Sequence, residues 1–368
     1  MNKRRLKKAI RRITRLPLNH NLLLYTGNKV RHYFYKLTRS TLIAYPSTVM
    51  LELTNHCNLA CTTCPREYTY GREMDKGSME IDRAKRIIDE LWPFLDSVGL
   101  TGMGETLIFK EIGEIADYIK LKNRGIIISV STNAQVPGFL SKISPLVGRL
   151  DTIQISIDGL GPVYESIRRN ANFETLNKNI TELSSLCSHS ETDLMLNMVV
   201  TKENYMQMAD MVEYAAGRSV KYLDFTLFNL AAVTDIEPEY YSFYASDQFT
   251  TALQALQHAI VQYPAVEVTG KNFSTGSGFR QCPFPWTHFY ISWNGYMVPC
   301  CAKPFPKLLN FGSVFDQGVY KVLNNTAYRN FRKLWQDNRT PGFCRKCHFV
   351  ESTMNRALSE LSEAKLET

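Results

Sequence analysis

Three cysteines, Cys57, Cys61 and Cys64, fall within "HCNLACTTCPR" in the pattern C-x3-C-x2-C. Five more, Cys282, Cys300, Cys301, Cys344 and Cys347, lie in the last quarter as C-x17-C-C-x42-C-x2-C, and only Cys187 stands apart. Clusters at short spacing point to metal before disulfides in a chain that stays in the cytoplasm. Thiolates are soft ligands, suited to zinc and to iron–sulfur clusters. A structural zinc takes four protein ligands, and the first group offers three. A [4Fe–4S] cluster held by three thiolates keeps one iron open for a substrate or cofactor, which is the favoured reading. Zinc completed by His56 and a set of reactive thiols are the alternatives. Cys187, near the end of a helical stretch, reads as a small core hydrophobe.

The elements that must position these groups follow the first cysteines closely. Apolar, β-rich runs at 48–53, 96–102, 126–133, 151–158, 194–201 and 220–228 alternate with helical patterns near 80–92, 109–123, 137–147, 172–187 and 204–217. Strand–helix alternation implies right-handed crossovers and a parallel sheet. Runs without clean alternation predict strands buried on both faces. Six such units predict an α/β fold, a partial (β/α)6 TIM-like barrel, over residues 46–265. A small cysteine-rich unit over 276–350 and a tail over 351–368 follow, with a linker-like "GKNFSTGSG" between core and unit. The three cysteines, "GMGE" (102–105), Thr132 with Asn133, and Ser156 with Asp158 all fall at strand ends. Each alone is as well explained as a turn or cap. Together they mark the carboxyl end of a barrel, where such folds keep their sites.

The formal charge of +8 is not spread evenly. Residues 1–51 hold twelve Lys or Arg and no Asp or Glu, leaving 31 basic against 35 acidic residues in the rest. Within the 1–45 segment, Leu6, Ala9, Ile10, Ile13 and Leu16 share one helical face. Residues 1–40 therefore suit a peripheral anchor on an anionic membrane at the inner face. A solvated leader packed on the core explains the same charges, and a nucleic acid is the least favoured partner. No stretch reaches the ~20 apolar residues of a membrane span, and no signal peptide is recognisable, so a cytoplasmic protein is expected.

Taken in order, these motifs resemble the radical S-adenosylmethionine (radical SAM) superfamily, over about residues 47–350. "LELTNHCNLACTTCPR" is similar to its branch with a C-terminal SPASM or twitch domain. The resemblance implies a first [4Fe–4S] cluster on Cys57, Cys61 and Cys64, with SAM on its open iron. It implies SAM contacts from Gly102, Gly104 and Glu105 to the methionine amino group, from Thr132 and Asn133 near the ribose, and from Ser156 and Arg168 to the carboxylate. Glycines at 102 and 104 permit close backbone approach, and an arginine fork suits a carboxylate. The pattern departs from the family at Thr63, Met103 and Thr106, where an aromatic residue, Gly and Pro are common. Reductive cleavage of SAM would yield a 5′-deoxyadenosyl radical that takes a substrate hydrogen, with electrons from a flavodoxin- or ferredoxin-type donor.

The second cysteine group resembles the shortened SPASM, or twitch, pattern, with Cys282, Cys300, Cys344 and Cys347 ligating an auxiliary [4Fe–4S] cluster. Cys301 is then a neighbour of the site. A zinc ribbon would use the same four residues. A fully ligated cluster suits electron transfer, hence a net oxidation. Aromatic packing is the favoured role for Trp286, His288, Tyr290 and Trp293. Asp158 and Glu165 are placed near the mouth without a role. About 45 residues before the first strand are few for a peptide-recognition domain, so a small or lipid-linked, sugar-type substrate is expected. A peptide or protein maturase of the same family, and a non-catalytic zinc-binding interaction protein, are the other classes.

Overall fold

A computed structural model describes residues 20–270, 282 and 284–350. The amphipathic face at residues 6–16, most of the linker and the 351–368 tail lie outside the described residues.

After a helix α1 (His20–Leu37), the chain runs through β1 (Thr48–Leu51), α2 (Ile81–Leu91), β2 (Ser97–Leu100), α3 (Ile112–Lys122), β3 (Ile127–Thr132), α4 (Phe139–Ile143) and β4 (Thr152–Ser156). It continues through α5 (Gly161–Ile167), α6 (Phe173–Ser188), β5 (Asp193–Val200), α7 (Met208–Gly217), β6 (Tyr222–Leu227), α8 (Asp247–Gln262) and β7 (Glu267–Thr269). The six expected strands and their crossover helices are all present. β1 to β7 pair in chain order, each parallel to the next. Short apolar runs separated by helices favour parallel pairing, because a parallel neighbour needs a crossover.

The helices cover one face of the sheet. α2 turns Ala84, Ile87, Ile88 and Leu91 inward at i, i+3, i+4, i+7 spacing, each large side chain contributing ~1.5–3 kcal/mol on burial. α6 opens with Asn172, whose Oδ1 accepts from the Thr175 N–H at 2.8 Å. Cys187 near its end is packed in the core.

The opposite face departs from the expectation of burial on both sides. Along β1, β2 and β3 buried residues alternate with half-exposed ones. The half-exposed set faces the hollow of the partial barrel, where among the described residues Met50, Gly99 and Ser129 meet Phe284 and His288 of the cysteine-rich unit rather than a crossover helix. Because the sheet curls, the registers line these residues up in rows. Ser131 sits beside Gln154, and Ser156 beside Asn197, which sits beside Asp224 and then Thr269.

The cysteine-rich unit is built onto the same sheet. Its strand β8 (Phe289–Ile291) pairs parallel to β1 through Val49 opposite Phe289, and β9 (Met297–Val298) pairs antiparallel to β8. Gly295 makes the intervening turn at φ +83°, where a Cβ would lie 2.4 Å from the Phe315 ring. Two helices, α9 (Val319–Asn324) and α10 (Thr326–Gln336), close the unit. Tyr328 stacks on Phe311 at 3.8 Å, and the fully buried Arg332 donates to the carbonyls of Pro285, Leu323 and Thr41.

Candidate active site

The loop after β1 presents the three cysteines. Ala60–Cys61 forms a two-residue ladder with Arg168–Arg169, placing Cys61 opposite Arg168. The Cys64 N–H donates to the Cys61 carbonyl at 3.0 Å, and Pro65 then begins a tight turn. All three thiols are free, Cys61 is buried, and His56 is exposed. Burial pushes the Cys61 thiol up to about 11, against the pull of Arg168, and the Cys64 thiol up to about 12. Cys57 lies 3.8 Å from the Asn133 amide nitrogen, and Cys61 lies 4.0 Å from Arg168 Nη1.

The "GMGE" segment is wedged against this loop. A Cβ on Gly104 would meet the Thr54 and His56 carbonyl oxygens at 2.5 and 2.6 Å, and one on Gly102 would meet Glu52 Cγ at 2.3 Å. The close approach expected of these glycines is thus made to the cysteine loop and to Glu52. Glu105 is buried, and its N–H donates to the His56 carbonyl at 2.8 Å. Its carboxylate accepts from Thr132 Oγ1 at 2.7 Å, the Asn133 N–H at 2.7 Å and the Leu107 N–H at 3.1 Å. Glu105 therefore ties the ends of β2 and β3 together, and burial raises its pKa despite three donors. Met103 and Thr106, two of the departures, are absorbed locally. The Met103 N–H donates to Glu52, and the Thr106 hydroxyl to the Leu100 carbonyl.

Ser156 ends β4 on the hollow side, and Arg168 is buried beneath the loop. Arg168 Nη2 pairs with Asp158 Oδ2 at 2.9 Å, and Asp158 also accepts from the Val199 N–H at 2.9 Å. Burial works against the guanidinium charge, but Asp158 and the Cys61 sulfur hold its proton above the usual arginine range. Thr63, the third departure, turns its hydroxyl to the same carboxylate at 3.4 Å. Glu165 lies on the exposed side, accepting from the Phe173 N–H.

In the C-terminal unit Cys347 lies within electrostatic reach of Cys282, Cys300 and Cys344, and Cys301 within reach of Cys282 and Cys300. Burial pushes Cys282 up to about 12, then Cys347 and Cys301 add to it. Burial raises Cys300 well above its ordinary value, with Cys301, Cys347 and Cys344 adding to the effect. Cys301 borders a cavity of about 120 Å³ with Met50, Gly99, Ser129, His288 and Tyr290. Asn229, just after β6, reaches Cys347 Sγ at 3.6 Å, and the buried Lys303 lies over the Phe343 and Tyr70 rings.

The model for the radical SAM superfamily matches residues 51–215, and the model for the SPASM iron–sulfur cluster-binding domain matches residues 282–348. The chain belongs to the radical SAM superfamily and carries a SPASM domain. A relative from Pyrococcus furiosus, a tungsten-containing aldehyde ferredoxin oxidoreductase cofactor-modifying protein, is 23% identical over 80% of this chain and 82% of its own. The solved structure of Streptococcus suis SuiB bound to precursor peptide SuiA is similar at TM-score 0.64 and 16% identity, over 91% of this chain and 76% of that one. The structure of native anSMEcpe with bound AdoMet is similar at TM-score 0.63 and 16% identity, over 88% and 98%. These structural likenesses bear on the fold, a radical SAM partial barrel with its SPASM domain.

The cofactors of this radical SAM chain are [4Fe–4S] clusters and SAM. Its residues fit them. Arg168 Nε is buried without a hydrogen-bond partner at the inner edge of the cysteine loop, a donor ready for an anionic group. Of two further residues of this radical SAM site, the sequence placed Asp158 near the mouth without a role and gave Glu52 no place in the site. Asp158 sets the Arg168 fork. Glu52 receives the Met103 and Trp293 N–H groups and the Tyr290 hydroxyl, joining the SAM-motif loop to the SPASM strand. A carboxylate ending an apolar strand, "TVMLE", was the available signal for Glu52. Trp286 is buried, while Trp293 borders a cleft of about 160 Å³ with Tyr70, Asp75, Phe305 and Lys307.

Proposed function

We propose that this chain is a radical SAM oxidoreductase acting on a small or lipid-linked, hydroxyl-bearing substrate of sugar type. When bound, the cofactors supply a 5′-deoxyadenosyl radical for hydrogen abstraction and a one-electron acceptor for the substrate radical. Cys57, Cys61 and Cys64 would hold the first cluster, and Cys282, Cys300, Cys344 and Cys347 the second. Gly102, Gly104, Glu105, Thr132, Asn133, Ser156 and Arg168 would frame SAM. In this reading Glu105, Thr132, Asp158 and the Asn133 side chain, which bonds Asn58 and Gln135, position the framework, while Ser156 and the unpartnered Arg168 Nε offer donors to the cofactor.

The observation that carries the substrate reading is the hollow face of the sheet. Ser129, Ser131, Gln154, Ser156 and Asn197 line it with hydroxyls and amides. Its carboxylate, Asp224, accepts from Asn197 Nδ2 at 3.2 Å and from the Thr269 hydroxyl. Neutral donors and acceptors in a sheltered hollow suit a polyhydroxylated group. A peptide or protein side chain is the second reading. The open cleft beside Trp293 and the bound precursor peptide of SuiB favour it.

Anaerobically reconstituted protein, reductant and SAM should be given deuterated lipid-linked sugars or deuterated peptides. Deuterium entering 5′-deoxyadenosine from the sugar fraction alone supports the first reading. Transfer from peptides alone replaces it with the second.

A further inference from the structure

Helix α1 is built inside out. Its inward side is polar. Asn28 is buried and spans the Tyr45 N–H and carbonyl at 3.0 and 2.9 Å. Tyr25 and Lys29 bond the two oxygens of Asp96 at 3.1 and 2.9 Å. Its apolar residues point the other way. Leu23, Val30, Phe34 and Leu37 recur at the spacing of one helical face and are 71, 69, 58 and 65% exposed, with Tyr33 beside them at 62%. Gly27 completes the stripe, and a Cβ there would meet nothing within 4 Å. Elsewhere in the described residues large exposed apolar side chains are scattered, such as Leu121, Met206 and Val261. A contiguous stripe held outward by fixed polar contacts marks an interaction surface.

The charge around the stripe selects the partner. Residues 1–51 carry twelve Lys or Arg and no acidic residue. Beside the stripe itself Arg31, Lys36 and Arg39 are exposed and α1 holds no acidic residue, so two copies of this surface would bring like charges together. An anionic bilayer satisfies both features. Each basic residue near such a surface adds about 1 kcal/mol, and stable attachment takes an apolar anchor plus a polybasic patch. We propose that the outward face of α1 docks on the surface of an anionic lipid membrane, with Leu23, Val30, Phe34 and Leu37 entering the headgroup boundary. This holds whichever substrate the active site takes.

The test is flotation of the full-length, cluster-loaded protein with phosphatidylglycerol–phosphatidylcholine vesicles and with pure phosphatidylcholine vesicles. The wild type should float with the anionic vesicles, lose binding as salt rises, and stay behind with the neutral ones. Val30→Asp/Phe34→Asp should weaken binding about tenfold or more, with unchanged SAM-dependent 5′-deoxyadenosine formation as the check on folding. Leu23→Glu/Leu37→Glu is the second variant should the first misfold. Wild-type protein that fails to float, or variants that float equally well, would overturn the proposal. So would a self-associated wild type that both variants convert to monomer, since a second copy would then be the occupant.

Discussion

Arg168 Nη2 lies 2.9 Å from Asp158 Oδ2, with Asp158 fully buried and Arg168 nearly so. The pair ties the end of the β4 segment to the cysteine loop, because Arg168 is also the ladder partner of Cys61. Removing one member leaves an uncompensated buried charge. Asp158→Ala should lower stability by about 3–5 kcal/mol, read by denaturant unfolding of the metal-free protein. Asp158→Asn should lose less, since its amide oxygen can still accept from Val199 N–H. An Asp158→Asn variant as stable as the wild type would deny the charge its role.

Gly104→Ala tests the wedge between the SAM-motif loop and the cysteine loop. A methyl group there meets backbone on three sides, so the loop must shift. A displacement of this size near reacting groups costs about a hundredfold in rate. We expect 5′-deoxyadenosine formation to fall by that order while the SPASM iron remains. Full activity in the alanine variant would mean that the loop yields freely.

Cys300 and Cys301 are adjacent but differently placed. In a background with Cys57, Cys61 and Cys64 changed to Ala, about four irons per chain should remain. Adding Cys300→Ser should abolish that iron, and adding Cys301→Ser should leave it. The reverse pattern in anaerobic iron and sulfide analysis would make Cys301 the ligand.

Asn229 donates to a SPASM sulfur from the far side of the sheet. A hydrogen bond to sulfur favours the more negative, reduced cluster. Asn229→Leu should therefore move the SPASM potential downward in a spectroscopically monitored redox titration and leave the first cluster's potential in place. An unchanged value would assign this contact to packing.

Burial raises the Glu52 pKa even though Met103, Tyr290 and Trp293 donate to it. A carboxyl whose folded pKa is raised gives its full stabilisation below the unfolded value of 4.5 and loses it as pH rises through the folded value. Glu105 has the same sign. Thermal stability of the metal-free protein should fall as pH rises above the unfolded carboxyl value, and Glu52→Gln should flatten that slope. A variant with the wild-type slope would remove Glu52 from the account.

The local sequence by itself determined the strands, their crossover helices and the cysteine groups. Apolar runs of β-rich residues between amphipathic helices admit few arrangements, and C-x3-C-x2-C sets its thiols on one loop by spacing alone. Long-range contacts decided the rest. That β8 extends the core sheet beside β1, that Glu52 bridges the two units, and that Asp158 holds Arg168 all depend on residues far apart in the chain. The open hollow face was misread because Met50, Gly99 and Ser129 look like interior strand residues. Only the curl of the sheet turns them toward the hollow and away from the crossover helices. The outward stripe of α1 was hidden for the opposite reason. Helical spacing identifies an apolar face, but which way it turns was settled in the fold by Asn28, Tyr25 and Lys29, whose hydrogen bonds hold the polar side inward.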